Sequence, residues 1–577
     1  MKKTLLTLAL AVTAFSAKSQ VIFSVLSPAS IQGNYDFTNN GTGSSWGLPN
    51  LLDPADAIQS TLVLVDDGTA ADSLGCNNLI NGAALAGKIA VVYRRDCSFG
   101  LKAQKAQAAG AIGVVIINHE DGLVTMTGGT EGLTVNIPVT FITRADGAIL
   151  RGAMAQGDVE VFIGNKLYFF ENDLGLMKDR LLIAPAAARP SALTQNASEY
   201  SVKQGAWVYN FGQNDITGST LKAEVTFNNT SVSSMESDPF DIESGDSLYV
   251  EFDNFSQASY PAGKYKLTYS IVTAEEDYED DNTFSSDFTI NDKIFSLARL
   301  DENNLPINTG GTRFAENVTN TYFSCIVFRD ANANRLGAEG LYFAASVDTT
   351  GGTNSMDGQE VIVTVNKWNN AFTDMDDAGF NFTQLEELTS GVFYYNSNDQ
   401  MNQMMYQAFD QPFVLENNQR YLFCTQTSDP LVYFGFDNVI DYSYVSDTER
   451  QPLHPLHGPN TAGTNAWFSL GFGRTPAIGL KTFPAAELGI LETNTVAASV
   501  YPNPAKDVVT IAFNGFNGDA QLTVTDLAGK TVINKNVTVT ADGQLKVNVP
   551  ELNNGMYIFN MQLGDGTVSK FNVVINK

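Results

Sequence analysis

The sequence predicts a multidomain protein that is mainly β, with one α/β domain near its N-terminus. The chain has 577 residues, which is too long for one domain of ordinary size. Only 17% of the residues are charged, whereas glycine, asparagine, threonine and aromatic residues are plentiful, and this composition is typical of folded extracellular β proteins. Short segments that alternate between polar and apolar residues recur along most of the chain.

Residues 1–19 have the pattern of a Sec signal peptide. A basic start precedes the apolar run Leu5–Phe15, and Ala17-Lys18-Ser19 places small residues at the usual cleavage positions. We therefore expect Gln20 to be the first mature residue. The apolar run is too short to span a bilayer, and no later stretch is long and apolar enough, so we expect no transmembrane segment in the mature chain.

The chain carries a formal net charge of −29, and its isoelectric point is near 4.4. A nucleic-acid-binding protein needs a basic surface, so the charge predicts that no nucleic acid is bound. The composition and patterning divide the mature chain into four predicted domains. They are expected at 20–165, 166–290, 291–485 and 490–577.

The first of these domains differs from the rest because it contains helices. An apolar strand is followed by a helix that Ser98 can cap, and a second apolar strand follows the helix. This order predicts a parallel strand pair joined by a right-handed crossover. The strands are expected at 87–93, 111–118 and 136–142, and the helices at 99–109 and 145–155.

These elements resemble a protease-associated domain over residues 50–163. The residues that carry the resemblance are Gly87-Lys88-Ile89-Ala90-Val91-Val92, Cys97-Ser98-Phe99, Lys102, Ala103, Ala109-Gly110-Ala111, Ile137-Pro138-Val139 and Asp146-Gly147, with Ala71–Cys76 as the lead-in. Domains of this family are non-catalytic parts of secreted peptidases and sorting receptors. The resemblance implies a domain that binds protein or peptide or shapes access to an active site; a rigid spacer is the alternative.

The two middle domains are predicted to be β-sandwiches. Residues 166–290 have the alternation of an immunoglobulin-like sandwich, with an acidic turn at 279–282. Residues 291–485 have longer loops and more aromatic residues, which favours a jelly-roll-like sandwich. The aromatic residues in these loops are suited to binding a sugar or a protein, or else they belong to the core. The strands are expected at 221–227, 246–252, 265–272, 284–290, 322–328, 341–346, 360–365, 392–395, 420–425 and 431–436.

Four cysteines fit an oxidising compartment and allow three disulfide pairings. We favour Cys76–Cys97 and Cys325–Cys424, because each of these pairs falls inside one predicted domain. The second pair would close a loop of ~100 residues, a constraint worth up to ~4.7 kcal/mol in the chain-entropy model. Free, buried thiols at Cys325 and Cys424 are the alternative, because both lie in apolar strand-like segments.

The sequence contains no recognisable catalytic set. It has three histidines, no His-Glu-x-x-His helix motif and no Gly-x-Ser-x-Gly motif. His454 and His457 are weak candidates for metal binding, which would need a third ligand from elsewhere. Because Pro452 precedes the two histidines and Pro455 lies between them, we expect a surface loop at this point. With 63 acidic residues, the two carboxylates that a glycosidase needs are not singled out by any pattern.

A second weak metal candidate resembles the start of a calcium-binding loop. Asp330, Asn332 and Asn334 have the spacing of the first calcium ligands. The pattern then fails, because Arg335 stands where glycine is expected and Leu341 where glutamate is expected. Calcium is thus possible, but no cofactor is firmly predicted.

The C-terminal region from 490 to 577 is predicted to be a small immunoglobulin-like β-sandwich of six or seven strands. It resembles the type A C-terminal sorting domain of the type IX secretion system of Bacteroidetes. The matching residues are Tyr501, Pro502, Asn503, Pro504, Asp526, Gly529, Lys530, Gly555 and Tyr557. The resemblance implies the type IX secretion machinery as a partner. It also implies Sec export, type IX translocation, and a product that is secreted or attached to the outer-membrane surface.

Together these features predict a secreted or cell-surface protein that binds an extracellular protein, peptide or glycan and is not an enzyme. The binding would use the protease-associated and β-sandwich domains. The alternative is a secreted hydrolase, a peptidase or a carbohydrate-active protein, with its site in residues 291–485.

Overall fold

The structure is a computed structural model of the chain. It describes residues 20–39, 46–70, 72–119, 123–124, 126–313, 321–347, 354–368, 371–382, 385–459, 465–468, 471, 473–488, 498–513, 516–526, 530–563 and 568–577. Four parts of the sequence predictions lie outside these ranges. They are the signal peptide at 1–19, Ala71 of the lead-in segment, the start of the C-terminal region at 490–497, and Gly529.

The N-terminal region forms a mixed eight-stranded sheet with the strand order β2-β1-β8-β4-β5-β6-β7-β3. Strands β4, β5, β6 and β7 run parallel to one another, as the strand–helix–strand pattern predicts. The elements are β1 Val21–Ser27, β2 Gly33–Asn34, β3 Phe37–Asn39, β4 Ile58–Leu64, β5 Ile89–Tyr93, α1 Phe99–Ala108, β6 Gly113–Ile117, α2 Gly129–Gly132, β7 Val139–Ile142, α3 Arg144–Met154 and β8 Glu160–Asn165.

Local signals explain where the helices of this region begin and end. Ser98 Oγ accepts a hydrogen bond from Leu101 N (3.2 Å) and so caps α1, and Thr143 caps α3 in the same way. Gly110 follows α1 with φ +89°, a conformation that glycine adopts without steric cost. Helix α1 also packs closely on α2, because a Cβ on Gly100 would lie 1.8 Å from Gly128 O.

The middle region consists almost entirely of strands. Most of the strands extend beyond the predicted segments; for example, 392–395 was expected and β24 begins at Leu385. The elements are β9 Leu174–Leu181, β10 Ala188–Pro190, β11 Val202–Asn210, β12 Ile216–Phe227, β13 Thr230–Glu236, β14 Phe240–Ile242, β15 Ser247–Phe255, β16 Gly263–Val272, β17 Thr283–Asn291, β18 Ile294–Ser296, β19 Gly310–Thr312, β20 Tyr322–Phe328, β21 Leu336–Phe343, β22 Ala345–Val347, β23 Glu360–Trp368, β24 Leu385–Tyr394, β25 Met405–Val414, β26 Arg420–Thr427, β27 Val432–Asp437, α4 Ser443–Glu449, β28 Leu456–Pro459, β29 Asn465–Phe468, β30 Thr475–Pro476 and β31 Gly479–Pro484.

One ten-stranded sheet joins the two sides of residue 290, where the sequence suggests a domain boundary. Its main path is β13-β12-β16-β17-β10-β18-β31-β21-β25, with β14 paired to β12. A single hydrophobic cluster also includes residues from both sides, from Leu174 to Leu480. The remaining sheets of this region are β15-β11-β9, β19-β27-β22 with β30, and β24-β23-β26-β20-β28-β29. The main hydrophobic cluster of the middle region is therefore shared across residue 290, and the domain boundaries as drawn from the sequence stay a prediction.

Both favoured disulfides are present. Cys76 is bonded to Cys97, and Cys325 is bonded to Cys424. Cys325 and Cys424 face each other directly in the antiparallel pair β20–β26, and both side chains are fully buried. The second disulfide therefore links neighbouring strands inside the core of the middle region.

The C-terminal region is a seven-stranded sandwich with a hydrophobic core of its own. One sheet has the order β32-β33-β36 and the other β35-β34-β37-β38. The strands are β32 Ala498–Tyr501, β33 Val508–Phe513, β34 Gly518–Asp526, β35 Thr531–Val539, β36 Gln544–Asn548, β37 Gly555–Leu563 and β38 Val568–Ile575. Alternate residues such as Leu522 and Val524 are fully buried, as the alternating pattern predicts.

Aromatic side chains join the N-terminal region to the middle region. Phe162 on β8 stacks on Phe169 at 3.9 Å between ring centroids, and Phe170 stacks on Tyr278 at 4.9 Å. Phe169 and Phe170 themselves meet edge to face. The segment after β8 thus folds back onto both regions and holds them together.

We expect the double variant Cys325→Ala/Cys424→Ala to unfold more easily than the wild type. Loss of a cross-link that closes ~100 residues should lower the free energy of unfolding by up to ~4.7 kcal/mol. Urea denaturation under oxidising conditions measures the difference, and wild-type protein reduced in urea before refolding is the control. An unchanged denaturation midpoint would show that the disulfide contributes nothing to stability.

Candidate ligand-binding site

A pocket of about 530 Å³ opens at the carboxyl ends of the parallel strands in the N-terminal region. This edge of a parallel sheet is where ligands of α/β domains commonly bind, because the loops that follow the strands converge there. The lining residues follow β5, β6 and β7 or lie in the 3₁₀ helix Asp72–Leu74. They are Ser73, Leu74, Tyr93, Arg94, Arg95, Asp96, Asn118, His119 and Arg144.

The disulfide Cys76–Cys97 holds two walls of this pocket together. Cys97 lies in the segment between β5 and α1, and Cys76 lies just after the 3₁₀ helix that carries Leu74. Lys102, fully buried on α1, strengthens the same wall because its Nζ donates to Leu74 O (2.8 Å) and approaches Cys76 Sγ (3.5 Å). The pocket wall is therefore fixed by a covalent bond and by a buried ammonium group.

Two arginines of the pocket have different environments. Arg94 Nη1 donates to Asn118 Oδ1 (3.1 Å), and the same oxygen accepts from His119 N (2.9 Å), so the loops after β5 and β6 are joined. Arg95 is exposed, and its backbone has φ +127°, while Asp96 has φ +66°. Such conformations are uncommon for residues with side chains and persist where surrounding contacts impose them, here next to the disulfide.

The charge of the pocket is opposite to that of the whole chain. Its lining includes three arginines and one aspartate, a formal charge of +2 with histidine neutral, whereas the chain carries −29. Guanidinium groups bind carboxylate and phosphate groups through paired hydrogen bonds. Leu74 and Tyr93 add apolar surface beside them. The pocket is thus suited to an anionic group attached to an apolar body.

The structure corrects the expected surface loop around His454 and His457. His454 is fully buried, and His457 lies on β28, paired with Phe323 of β20. The prolines do not prevent strand pairing, because a proline lacks an N–H group but keeps its carbonyl acceptor. Here Cys325 N donates a hydrogen bond to Pro455 O (3.1 Å). The His457 ring lies 4.8 Å from the Trp467 ring, and burial lowers the pKa of His457.

Arginine side chains contact two of the three candidate calcium ligands, Asp330 and Asn332. Asp330 pairs with the Arg189 guanidinium and accepts a hydrogen bond from Asn332 N (2.6 Å). Asn332 Oδ1 accepts from Arg335 Nη2 (3.2 Å). The backbone N of Asn334 donates to Asn417 Oδ1 (2.8 Å). Two arginine side chains therefore already bind side-chain oxygens that a calcium ion would need as ligands.

Within the described ranges, no three histidine, cysteine, aspartate or glutamate side chains lie together in a way that would hold a metal ion. The same ranges contain no helix with the length and apolarity needed to cross a bilayer.

The predicted sorting residues connect the ends of the C-terminal sandwich. Asn503 Oδ1 accepts from Val574 N (2.8 Å), and its Nδ2 donates to Asn572 O (2.9 Å), so the segment after β32 is joined to β38. Tyr557 OH donates to Asn553 O (3.2 Å) beside the turn that precedes Gly555.

The remaining described sorting residues lie near strand ends. Asp526 Oδ1, at the end of β34, accepts a hydrogen bond from Lys530 N (3.0 Å). Tyr501 ends β32 with 46% of its surface exposed, and Pro502 and Pro504 flank Asn503. Asn503 thus reaches β38 from a segment bounded by two prolines.

Sequence reasoning located the strands that build the pocket but missed most of the residues that line it. Arg94 directly follows the strand predicted at 87–93, Asn118 ends the strand predicted at 111–118, and Arg144 directly precedes the helix predicted at 145–155. Their position at the carboxyl ends of parallel strands is the signal that could have identified them.

Two segments of the chain match known protein families. Residues 58–150 match the PA domain family, and residues 499–576 match the secretion system C-terminal sorting domain family. These matches confirm the N-terminal and C-terminal resemblances. The protein is therefore exported by the type IX system to the cell surface or the extracellular space.

Similar proteins share only a part of this chain. Leucine aminopeptidase 2 of Arthroderma otae is 37% identical over 134 residues, 23% of this chain and 25% of the fungal protein. ER degradation-enhancing alpha-mannosidase-like protein 3 of Homo sapiens is 36% identical over 103 residues, 16% of this chain and 11% of the human protein. The chain thus spans about a quarter or less of the length of these relatives. A solved aminopeptidase from Aneurinibacillus sp. strain AM-1 is 24% identical over 26% of this chain and 31% of its own, with a TM-score of 0.19.

We expect Lys102 to make the stability of the N-terminal region depend on pH. Burial lowers the pKa of Lys102 from 10.5 to about 8, although Asp96 and Asp67 act in the opposite direction. Between about pH 8 and 10.5 the unfolded chain then binds more protons than the folded chain, so the free energy of unfolding rises with pH.

Urea denaturation at several pH values in this window, compared between the wild type and Lys102→Met, tests this expectation. The contribution of other titrating groups is common to both proteins and cancels in the difference. Lys105→Met, altered one helical turn away, is the matched control and should keep the wild-type slope. Parallel pH dependences for the wild type and Lys102→Met would contradict the expectation.

Proposed function

We propose that this protein is a non-catalytic binding protein that acts outside the cell. Its ligand is an extracellular protein or peptide, and an acidic group of that ligand enters the arginine-lined pocket of the PA domain. The observation that supports this most directly is the +2 lining of the pocket in a chain of −29. The exposed Arg95 and Arg144 make the direct contacts, while Arg94 and Asn118 hold the loops in place.

Peptide is favoured over glycan because the aromatic cluster of the middle region packs as core. Trp368 is fully buried against Phe372, Phe382 and the strands that carry the second disulfide. The guanidinium group of Arg420 lies 4.1 Å from the Phe372 ring centroid and is almost completely buried as well. A sugar-binding platform needs an exposed ring face, and the face of Trp368 is covered by Phe382 at 4.3 Å.

The second candidate function is a secreted hydrolase, in keeping with relatives that are named aminopeptidases. Its site would lie in residues 291–485 and would use His454 and His457. The burial of His454 and the position of His457 between Phe323 and Trp467 weigh against this candidate. We therefore keep the binding function as the proposal.

The double variant Arg95→Ala/Arg144→Ala should bind acidic peptides at least about tenfold more weakly than the wild type. Hydrogen bonds to charged groups contribute roughly 1.5–3 kcal/mol each, and about 1.4 kcal/mol is a factor of ten in affinity. Fluorescence anisotropy with labelled peptides that end in a glutamate-rich segment measures the change, and added salt should weaken wild-type binding.

Lys264→Ala is the matched control, because Lys264 is an exposed cation on β16, outside the pocket. It should bind the same peptides as tightly as the wild type. Equal affinity in the double variant would overturn the pocket as the binding site. Peptide or glycan hydrolysis by the purified wild type, abolished in His457→Ala without loss of fold, would replace the proposal by the hydrolase.

Removal of residues 490–577 should leave the protein in the periplasm, because the type IX machinery reads the sorting domain. Asn503→Ala should reduce export, since it removes the two side-chain hydrogen bonds of Asn503 to β38 and leaves the backbone bond from Ala505 N to Val574 O as the contact between these segments. Lys535→Ala is a matched control on an exposed position of β35. Immunoblots of medium, surface and periplasmic fractions give the distribution, and unchanged export of the truncated chain would contradict the prediction.

A further inference from the structure

Three ionisable side chains meet in a buried site where the N-terminal region joins the middle region. Lys166 follows the last strand of the N-terminal sheet, Asp173 precedes β9, and Asp281 ends the 3₁₀ helix before β17. Lys166 Nζ lies 2.7 Å from Asp173 Oδ1 and 2.8 Å from Asp281 Oδ2. The side chains of Lys166 and Asp173 have no exposed surface, and that of Asp281 has 9%.

Aromatic rings enclose the ammonium group of Lys166. Its Nζ lies 4.4 Å from the centroid of the Phe211 ring and 4.3 Å from that of Tyr278. Gly175 provides room for the Asp281 carboxyl, because a Cβ there would lie 2.2 Å from Oδ2. The rings and the close backbone keep water away from the three groups and limit their movement.

The charges of this site do not balance. One ammonium group faces two carboxylates, and Glu276, Asp277 and Asp280 are further acidic groups around them. Burial raises the pKa of Asp281 to about 7 and also raises that of Asp173, although Lys166 acts in the opposite direction on both. Near neutral pH the Asp281 carboxyl therefore carries a proton for much of the time.

We propose that Lys166 and Asp281 form an intramolecular isopeptide bond after the chain folds, with Asp173 as the catalytic proton carrier. Asp173 takes a proton from the Lys166 ammonium group, which leaves a neutral amine beside the protonated Asp281 carboxyl. Lys166 Nζ then attacks Asp281 Cγ, and a C–N bond forms. A C–O bond of the carboxyl breaks, the departing hydroxyl leaves as water with the proton returned by Asp173, and the amine loses its second proton to the same carboxylate. The net products are an amide, one water molecule and a protonated Asp173, and the reaction needs no oxidant or reductant.

Three physical features favour this reaction. The amine and the carboxyl are held at 2.8 Å, which removes the entropy cost of bringing them together. Asp281 borders a surface pocket of about 690 Å³, through which the released water can leave. The bond also replaces a buried ammonium group and a buried carboxyl by a neutral amide, which removes part of the cost of keeping ions out of water.

The bond would connect parts of the chain that are distant in sequence. Lys166 belongs to the segment after β8, and Asp281 lies between β16 and β17 in the ten-stranded sheet. The N-terminal region would then be attached to the middle region by a covalent bond in addition to the aromatic contacts of Phe162, Phe169 and Tyr278.

The mass of the folded chain tests the proposal. Purified protein that begins at Gln20 is reduced, unfolded and weighed by electrospray mass spectrometry. We expect a deficit of one water molecule relative to the sequence in nearly all molecules, and peptide mapping should find the peptide with Lys166 joined to the peptide with Asp281. Mapping is essential, because an N-terminal glutamine that cyclises also lowers the mass, by one ammonia. A full-mass pair of unlinked peptides, or a link from Lys166 to Asp173, would overturn the proposal.

Variants separate the roles of the three residues. Lys166→Met and Asp281→Ala should both restore the missing mass, and Asp173→Asn should slow or abolish the bond. In Asp281→Asn, the same attack would release ammonia, so the linked peptide should lose one ammonia in place of one water. Lys178→Met, an exposed lysine on β9, is the matched control and should keep the water deficit.

A variant that fails to fold does not decide the question, because the wild-type mass is measured independently. Circular dichroism identifies the folded variants for comparison. Persistence of the same cross-link deficit in folded Lys166→Met would exclude Lys166 as the amine.

Discussion

The arrangement of the N-terminal and middle regions depends on the buried contact around Lys166. Its ammonium group contacts Asp173, which lies just before β9, and Asp281, which lies between β16 and β17. Removal of one partner from a buried ion pair typically costs about 3–5 kcal/mol, because the remaining charge is left without compensation. Separation of the two regions at this point would remove Asp281 and the Tyr278 ring from the buried ammonium group of Lys166. The stacked rings of Phe162, Phe169, Phe170 and Tyr278 fix the same joint by apolar burial.

The two parts of the middle region are joined by a sheet whose strands come from both sides of residue 290. The short strand β10 pairs in parallel with β17 and is bridged to β18, so it joins strands from the two predicted sandwiches. Ser296 Oγ donates to Ile478 O (2.7 Å) inside the same sheet, which links the start of the second part to its end. Because the hydrophobic cluster is continuous, unfolding of one part would expose apolar surface of the other. The C-terminal sandwich differs, since its core contains only its own residues.

This organisation separates the sorting domain from the pocket that we propose as the binding site. The sorting domain has an independent core at one end of the chain, whereas the arginine-lined pocket lies in the PA domain, which is joined firmly to the middle region. In a strongly acidic protein, a positively charged pocket attracts anions at one point, whereas the acidic surface around it repels them. The fungal and human relatives match only 134 and 103 residues of this chain, respectively. The proposed role of the pocket therefore rests on the residues of this chain alone.

The sequence by itself determined the local structure and the cellular route. Ser98 and Gly110 predict the limits of α1, alternation predicts the strands, and Tyr501 to Pro504 indicate the sorting domain, because these signals act within a few residues. The cysteines could be paired from the predicted domains, since each pair falls inside one of them.

Only the tertiary structure decided which distant residues meet. The acidic turn at 279–282 reads as solvated surface, yet Asp281 is buried against Lys166, and the prolines around His454 suggest a loop where the chain runs along β20. Arg94, Asn118 and Arg144 likewise converge only when three parallel strands are aligned. Such contacts depend on strand register and on packing between regions, and neither is encoded in a short stretch of sequence.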